Sequence, residues 1–273
     1  MERVAEVMDM EATQSNFLPC DPGVRLNRCS ICRVRQWALC QPLPDADLCV
    51  VENFKSGERK VASGADVYTE GEPWHELYTL LDGWILLYKL LDDGRRQITK
   101  VVLPGDFIGF VPDLNGPMDH SAAALTDVQL CVFPRTKIFE LFKAHPELAI
   151  RMTWLVARDV EMAQERLISV GRRTAEERVS HFLLELYYRL RFRSPEPQGT
   201  KIPLPLTQEH IGDALGLTAV HVNRTIRKLR EAGMLAIEKQ SLKILDPDSL
   251  AEMAKVEDET LQRLNVSLSG TKS

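Results

Sequence analysis

Between Val51 and Phe133 the apolar residues come in short runs that end at glycine: VYTEG, ELYTLLDG, WILLYKLLDDG and QITKVVLPGDFIG. The glycines closing the first three, with the one in LPGD, fall at 71, 83, 94 and 105, a spacing of 11 to 12 residues. Short runs between evenly spaced turn signals predict the strands of a β-sandwich or barrel. Asp93-Gly94, between WILLYKLL and ITKVVL, has the composition of a hairpin turn.

The period then changes. Ala149, Thr153, Val156, Val160, Ala163, Leu167 and Val170 alternate steps of four and three. This predicts a long amphipathic helix with a narrow seam of small and β-branched residues, suited to a parallel helix pair; the other use of such a stripe is packing on its own core. Arg151, Arg158, Asp159, Glu161, Glu165 and Arg166 fall on the other faces. A second helical stretch, TAEERVSHFLLELYYRL, leads into the breaker run SPEPQGTKIPLP.

After the breaker comes LTQEHIGDALGLTAVHVNRTIRKLREAGMLAIEKQSLKIL. Thr207 can cap a short helix that Gly216 ends, and Thr218 can cap a second that Gly233 stops. MLAI and LKIL flank EKQS as a small hairpin, which completes a winged helix-turn-helix. At about 100° per residue, Ala219, Val222, Ile226 and Leu229 share the buried side of the second helix. Val220, Arg224 and Arg227 point away from it, flanked by His221, Asn223 and Lys228. Between Thr218 and Arg230 there are four Lys or Arg and no Asp or Glu. Arg224 has the fork for a guanine edge, while Arg227 and Lys228 suit phosphates.

The pattern divides the chain into an α+β sequence of parts: an arm over 1–50, a β-roll over 51–140, a dimerisation helix over 141–171, the winged helix-turn-helix over 172–251 and a tail over 252–273. In the arm, CSICRVRQWALC sets Cys29, Cys32 and Cys40 at C-x2-C-x7-C. By itself the spacing fits a metal or cluster site, a disulfide framework or chance. Its meaning depends on the compartment. With 44% hydrophobic and 27% charged residues over 273, the composition is that of a soluble globular chain of one or two domains. The richest apolar run is interrupted by Lys89, and MERVAEVMDMEA lacks the basic-then-apolar order of a signal peptide. The expected location is therefore cytoplasmic, with no membrane partner, where clustered thiols bind metal more often than they pair.

Charge refines the functional reading. The net charge is −5, yet residues 172–243 carry 13 Lys and Arg against 8 Asp and Glu, leaving 21 against 31 elsewhere. A basic module on an acidic body suits a protein that offers one face to a polyanion. No nucleophile elbow, P-loop, HExxH or dinucleotide fingerprint is present, so an enzyme is not expected.

With roll, long helix and winged helix-turn-helix in that order, the chain resembles the CRP/FNR family of bacterial transcription regulators over roughly residues 50–250. The most specific pieces are LPGDFIGF, TAEERV and DALGLTAVHVNRTIRKLREAGML. The resemblance implies a homodimer on a palindromic double-stranded operator, acting on RNA polymerase, with an effector event at the roll or arm. The cyclic-nucleotide branch has a Glu directly after GDFIG and an Arg-Ser pair about ten residues on. Here Phe110 and His120-Ser121 stand there, which removes the ribose acceptor and the phosphate fork and argues against a cyclic nucleotide.

The FNR branch implies a [4Fe-4S] cluster on three arm cysteines and one in the roll: Cys29, Cys32, Cys40 and Cys131. The x7 gap resembles the FnrL/FnrN type of oxygen regulator. Zinc on the same thiolates, or unliganded thiols with a small effector in the roll, are the alternatives. Cys20 is a second-choice ligand, and Cys49 is expected to be a buried apolar cysteine. Thr218, Val220, His221, Asn223, Arg224, Arg227 and Lys228 are the expected DNA contacts. Val156, Val160, Ala163, Leu167 and Val170 form the expected dimer interface. The FNR branch reads its site with E-x-x-S-R, and this chain has Val220, Asn223 and Arg224 in that frame, so its half-site should differ at one base pair.

Overall fold

The computed structural model describes residues 29–113, 116–193 and 201–256. Eight strands build the roll: β1 (Gly57–Val61), β2 (Asp66–Tyr68), β3 (Glu76–Asp82), β4 (Ile85–Leu90), β5 (Arg96–Val102), β6 (Phe107–Ile108), β7 (Ser121–Ala124) and β8 (Val128–Pro134). They form two antiparallel four-stranded sheets, ordered β1-β8-β3-β6 and β2-β7-β4-β5. Tyr78, Leu80, Ile85, Val102, Ile108, Ala122 and Leu130 fill the space between them. Alternating apolar positions on facing strands make such a core. The glycine punctuation has a backbone cause. Gly83 turns at φ +88°, and a Cβ there would lie 2.3 Å from the Asp127 carbonyl oxygen. Gly94 closes the expected β4–β5 hairpin at φ +82°.

Helix α1 (Leu48–Phe54) straddles the expected arm–roll boundary, and α2 (Ile138–Ala144) is separate from the long helix α3 (Pro146–Arg172). The long helix begins later than expected because Pro146 fits only its first turn. Leu148, Met152, Leu155 and Met162 face the core. Arg151 and Arg158, expected on the faces away from the seam, lie on the buried one, 2% and 8% exposed. The Arg151 guanidinium donates to the carbonyls of Trp37 (3.0 Å) and Ala38 (3.4 Å), and Arg158 donates to the buried Asp106. Hydrogen-bond partners supplied from distant segments let charged residues occupy the buried side, which the helical period alone does not show.

The C-terminal domain contains α4 (Ala175–Arg193), β9 (Lys201–Pro203), α5 (Gln208–Leu215), α6 (Ala219–Glu231), β10 (Leu235–Glu238), β11 (Ser241–Ile244) and α7 (Pro247–Ala254). The wing has three strands in the order β10-β11-β9, one more than the sequence pattern suggests. KIP lay hidden in a breaker run because proline is tolerated on an edge strand. Val179, Phe182, Leu183, Ile211, Leu215, Val222 and Leu242 share one core. Helix α7 crosses the expected start of the tail at 252, and residues from 257 on lie outside the described residues. Among the described residues no helix is long and apolar enough to cross a membrane. The domain leans on the roll through an Arg96–Asp213 ion pair at 2.8 Å and a Gln97 side-chain donation to the Ala214 carbonyl at 3.3 Å.

Candidate nucleic-acid interface and cysteine centre

Local chemistry sets the reading helix. Thr207 and His210 form a reciprocal capping box at the start of α5. Gly216 ends that helix in the left-handed region, at φ +64°. Gly212 must also be glycine, since a Cβ would stand 2.4 Å from the Leu217 carbonyl oxygen where the turn crosses it. The Thr218 hydroxyl accepts from the His221 amide and starts α6. This fixes the angle between the two helices.

Helix α6 buries Val222, Thr225, Ile226 and Leu229. Ala219, expected on that side, is exposed instead. It is the first residue of α6. With Val220, Asn223, Arg224 and Arg227 it lines an open concavity of 430 Å³. Val220 is 66% exposed. His221, Asn223, Arg224, Arg227 and Lys228 all face solvent. Arg227 pairs with Glu231 at 2.7 Å and Lys228 with Glu176, whereas Arg224 carries no ion pair among the described residues. One residue on this surface escaped the sequence reading: Gln208, whose carbonyl oxygen accepts from the Asn223 amide at 3.0 Å.

The second constellation lies on the roll. Cys131 is held in β8 with β1 on one side and β3 on the other, opposite Glu58 and Thr79. The arm folds over this sheet. Cys29, Cys32 and Cys131 line one cavity of 380 Å³ together with Lys55, Glu58 and Gln129. None of Cys29, Cys32, Cys40 and Cys131 is in a disulfide. Burial pushes the Cys40 thiol up, and Cys29, Cys131 and Cys32 push it further; Cys40 does not line the cavity. Burial likewise pushes Cys131 up to about 12. Cys29 is raised by burial too, against the pull of Lys55, whose ammonium donates to its sulfur at 3.4 Å. A buried set of this kind stays protonated unless a cation compensates the thiolates. Lys55 went unnoticed in the sequence because nothing there links it to the cysteines. Among the described residues no group of three or more His, Cys, Asp or Glu closes on a single-ion site. Cys20 lies outside the described residues. Cys49, expected to be buried and apolar, is half-buried and disulfide-bonded.

At the degenerate nucleotide positions, His120 and Ser121 are engaged internally. His120 Nε2 meets the Tyr68 hydroxyl at 2.8 Å, and Ser121 Oγ accepts from the Glu70 amide at 3.0 Å.

A sensor-type β-roll, a long helix with one face open and a capped winged helix-turn-helix define a DNA-binding regulator. Residues 177–253 match the Crp-like helix-turn-helix domain family and residues 58–145 the cyclic nucleotide-binding domain family. The nitrogen fixation regulation protein FixK of Bradyrhizobium diazoefficiens is 36% identical over 228 residues, covering 83% of this chain and 93% of that protein. The transcriptional activator protein FnrL of Cereibacter sphaeroides is 29% identical over 233 residues, covering 84% and 92%. The structure of FixK2 from Bradyrhizobium japonicum superposes with a TM-score of 0.65 at 28% identity, covering 72% of this chain and 96% of that one. The chain belongs to the CRP/FNR family of transcription regulators. Both of these relatives are named as regulators.

Proposed function

We propose that the protein is a homodimeric, oxygen- or redox-responsive regulator in which Cys29, Cys32, Cys40 and Cys131 hold a [4Fe-4S] cluster. Cys29 and Cys32 of the arm and Cys131 from the interior of a sheet line one cavity, none of them nor Cys40 being in a disulfide, and this carries the reading. All-sulfur donors suit a soft iron cluster, and the cavity leaves room for a group of several atoms. When bound, the cluster would supply an oxidisable, oxygen-labile centre.

The chain's own residues do the rest. Cys131 is a rigid anchor, hydrogen-bonded strands flanking it on both sides. The arm is held by short turns of its own, such as Cys32 to Cys29 and Leu43 to Cys40, so it can part from β8 without unfolding the sheet. When it does, Arg151 loses the Trp37 and Ala38 carbonyls at the base of α3, whose apolar seam pairs two copies. Contacts that exist in one state only are what shift such an equilibrium. Anaerobically isolated protein should contain iron and acid-labile sulfide in equal amounts, with a broad thiolate-to-iron absorption that air bleaches. Stoichiometric zinc without sulfide would overturn the assignment.

At the operator, Arg224 reads guanine and Val220 packs on a thymine methyl, with Asn223 beside them. Thr218 and His221 lie at the helix start, close to the backbone. Arg227 and Lys228 exchange Glu231 and Glu176 for phosphates. Selection from random DNA should return a palindrome with the guanine kept and a changed base pair opposite Val220. On that sequence Arg224→Ala should cost about 1–3 kcal/mol and relax one position, while Lys228→Ala should weaken all sequences alike. Recovery of a half-site specifying cytosine opposite Val220, as a Glu would, excludes the thymine contact. On the promoter the bound dimer would act on RNA polymerase.

A further inference from the structure

Asp106 sits in the LPGD turn between β5 and β6 and is fully buried. Its Oδ1 accepts from Arg158 of α3 at 2.9 Å and from Arg193 of α4 at 2.7 Å. Its Oδ2 accepts from Arg189 of α4 at 2.7 Å and from the Leu103 amide at 2.9 Å. One carboxylate thus ties the roll to the long helix and to the first helix of the DNA-binding domain. Arg193 also donates to the Pro104 carbonyl at 2.8 Å, in the same turn. The turn itself is pinned to β3, because the Gly105 amide donates to Leu80 and the Leu80 amide donates to Asp106.

The opposite side of this turn carries the arm. A Cβ placed on Gly105 would lie 3.2 Å from Trp37 Cβ and 3.8 Å from Val34 Cβ. Val34 is 3% exposed. The backbone that receives the arm at Gly105 therefore presents, at the next residue, the carboxylate that three arginines from two other elements share. Fork-shaped guanidinium groups hold a carboxylate in one geometry, so movement of the turn is felt by all three.

We propose that Asp106 is a positioning residue that transmits docking of the arm to the DNA-binding domain, fixing α4 and with it the reading helix. The proposal deepens the reading of the arm as the moving part and does not depend on what the cysteines hold. Hydrogen exchange on the full chain tests it through a cycle of four proteins: wild type, Val34→Asp, Asp106→Asn and the double variant. Val34→Asp places a charge in the buried arm contact and lifts the arm. Each single change should speed exchange in the last turn of α4 and in α5 by roughly fivefold or more, the low end of ordinary coupling. The double variant should exchange no faster than Asp106→Asn alone, with β3 and β8 protected as in wild type. Multiplying effects, or α5 exchange at the wild-type rate in Asp106→Asn, would overturn the proposal. Should Asp106→Asn not fold, Arg193→Lys, which keeps the charge and loses the fork, should give the same non-additive pattern, and additivity there is equally decisive against it. Iron and sulfide content, measured alongside, reports separately on the cluster.

Discussion

Val160→Glu should convert the protein to a monomer and abolish operator binding at concentrations where wild type is bound. Val156, Val160, Leu167 and Val170 are 47%, 50%, 73% and 38% exposed along one stripe of α3, while the opposite stripe is buried in the protein's own core. In a parallel pair each seam residue meets its own copy across the axis, so one substitution introduces two facing carboxylates. A dimer binds two half-sites with the second engagement effectively intramolecular, an advantage on the order of 10²–10⁴ in apparent affinity. Losing the pair should remove most of that factor. Sedimentation and fluorescence anisotropy on the selected palindrome would measure both effects. Glu161→Ala, on an exposed position beside the seam, should change neither. A Val160→Glu protein that still sediments as a dimer would move the interface elsewhere.

What the sequence discloses and what it hides follow from the range of the interactions involved. The α6 reading surface was legible because caps, turn glycines and helical period act within a few residues. Val220, Asn223 and Arg224 stand on the exposed face as the period requires, and Gly216 turns where the pattern stops. The period failed at Ala219, the first residue of α6, because helical phase does not say which turns of a helix are covered by a neighbour. It is silent on the burial of Arg151 and Arg158, whose partners come from the arm and from the roll. Polar residues on a core-facing phase read as solvated until a distant acceptor is known. Asp106 looked like part of a family motif, and nothing in its neighbours signals that Arg158, Arg189 and Arg193 reach it. Lys55 is hidden in the same way, 26 residues from the cysteine it contacts. The grouping of Cys131 with the arm cysteines came from resemblance; spacing alone could not have joined segments about ninety residues apart.

Asp106→Ala should be the most damaging single change to folding. Burial alone would push this carboxyl up, but Arg193, Arg189, Lys100 and Arg158 outweigh it and hold it well below the usual carboxylate range. Removing the acid leaves three guanidinium groups in the interior, Arg158 and Arg189 8% and 3% exposed, with Glu185 on Arg189 and Asp159 beside Arg158 as the remaining counter-charges. Breaking a buried pair from one side costs about 3–5 kcal/mol, more than the pair itself contributes over an apolar replacement, because the stranded charges stay buried. By contrast, Asp93 pairs with Arg95 on the open hairpin turn, where solvent screens both charges, and Asp93→Ala should leave the unfolding midpoint unchanged. The linkage gives the pH dependence its sign. A folded-state pKa below the unfolded one stabilises the protein above the unfolded value, and that contribution is lost as pH falls through the folded value. The gap in unfolding free energy between wild type and Asp106→Ala should therefore be constant near neutrality and begin to close from about pH 4 downward. A gap that instead widened on acidification would mean that Asp106 is held as the neutral acid, and that the three arginines find their counter-charge elsewhere.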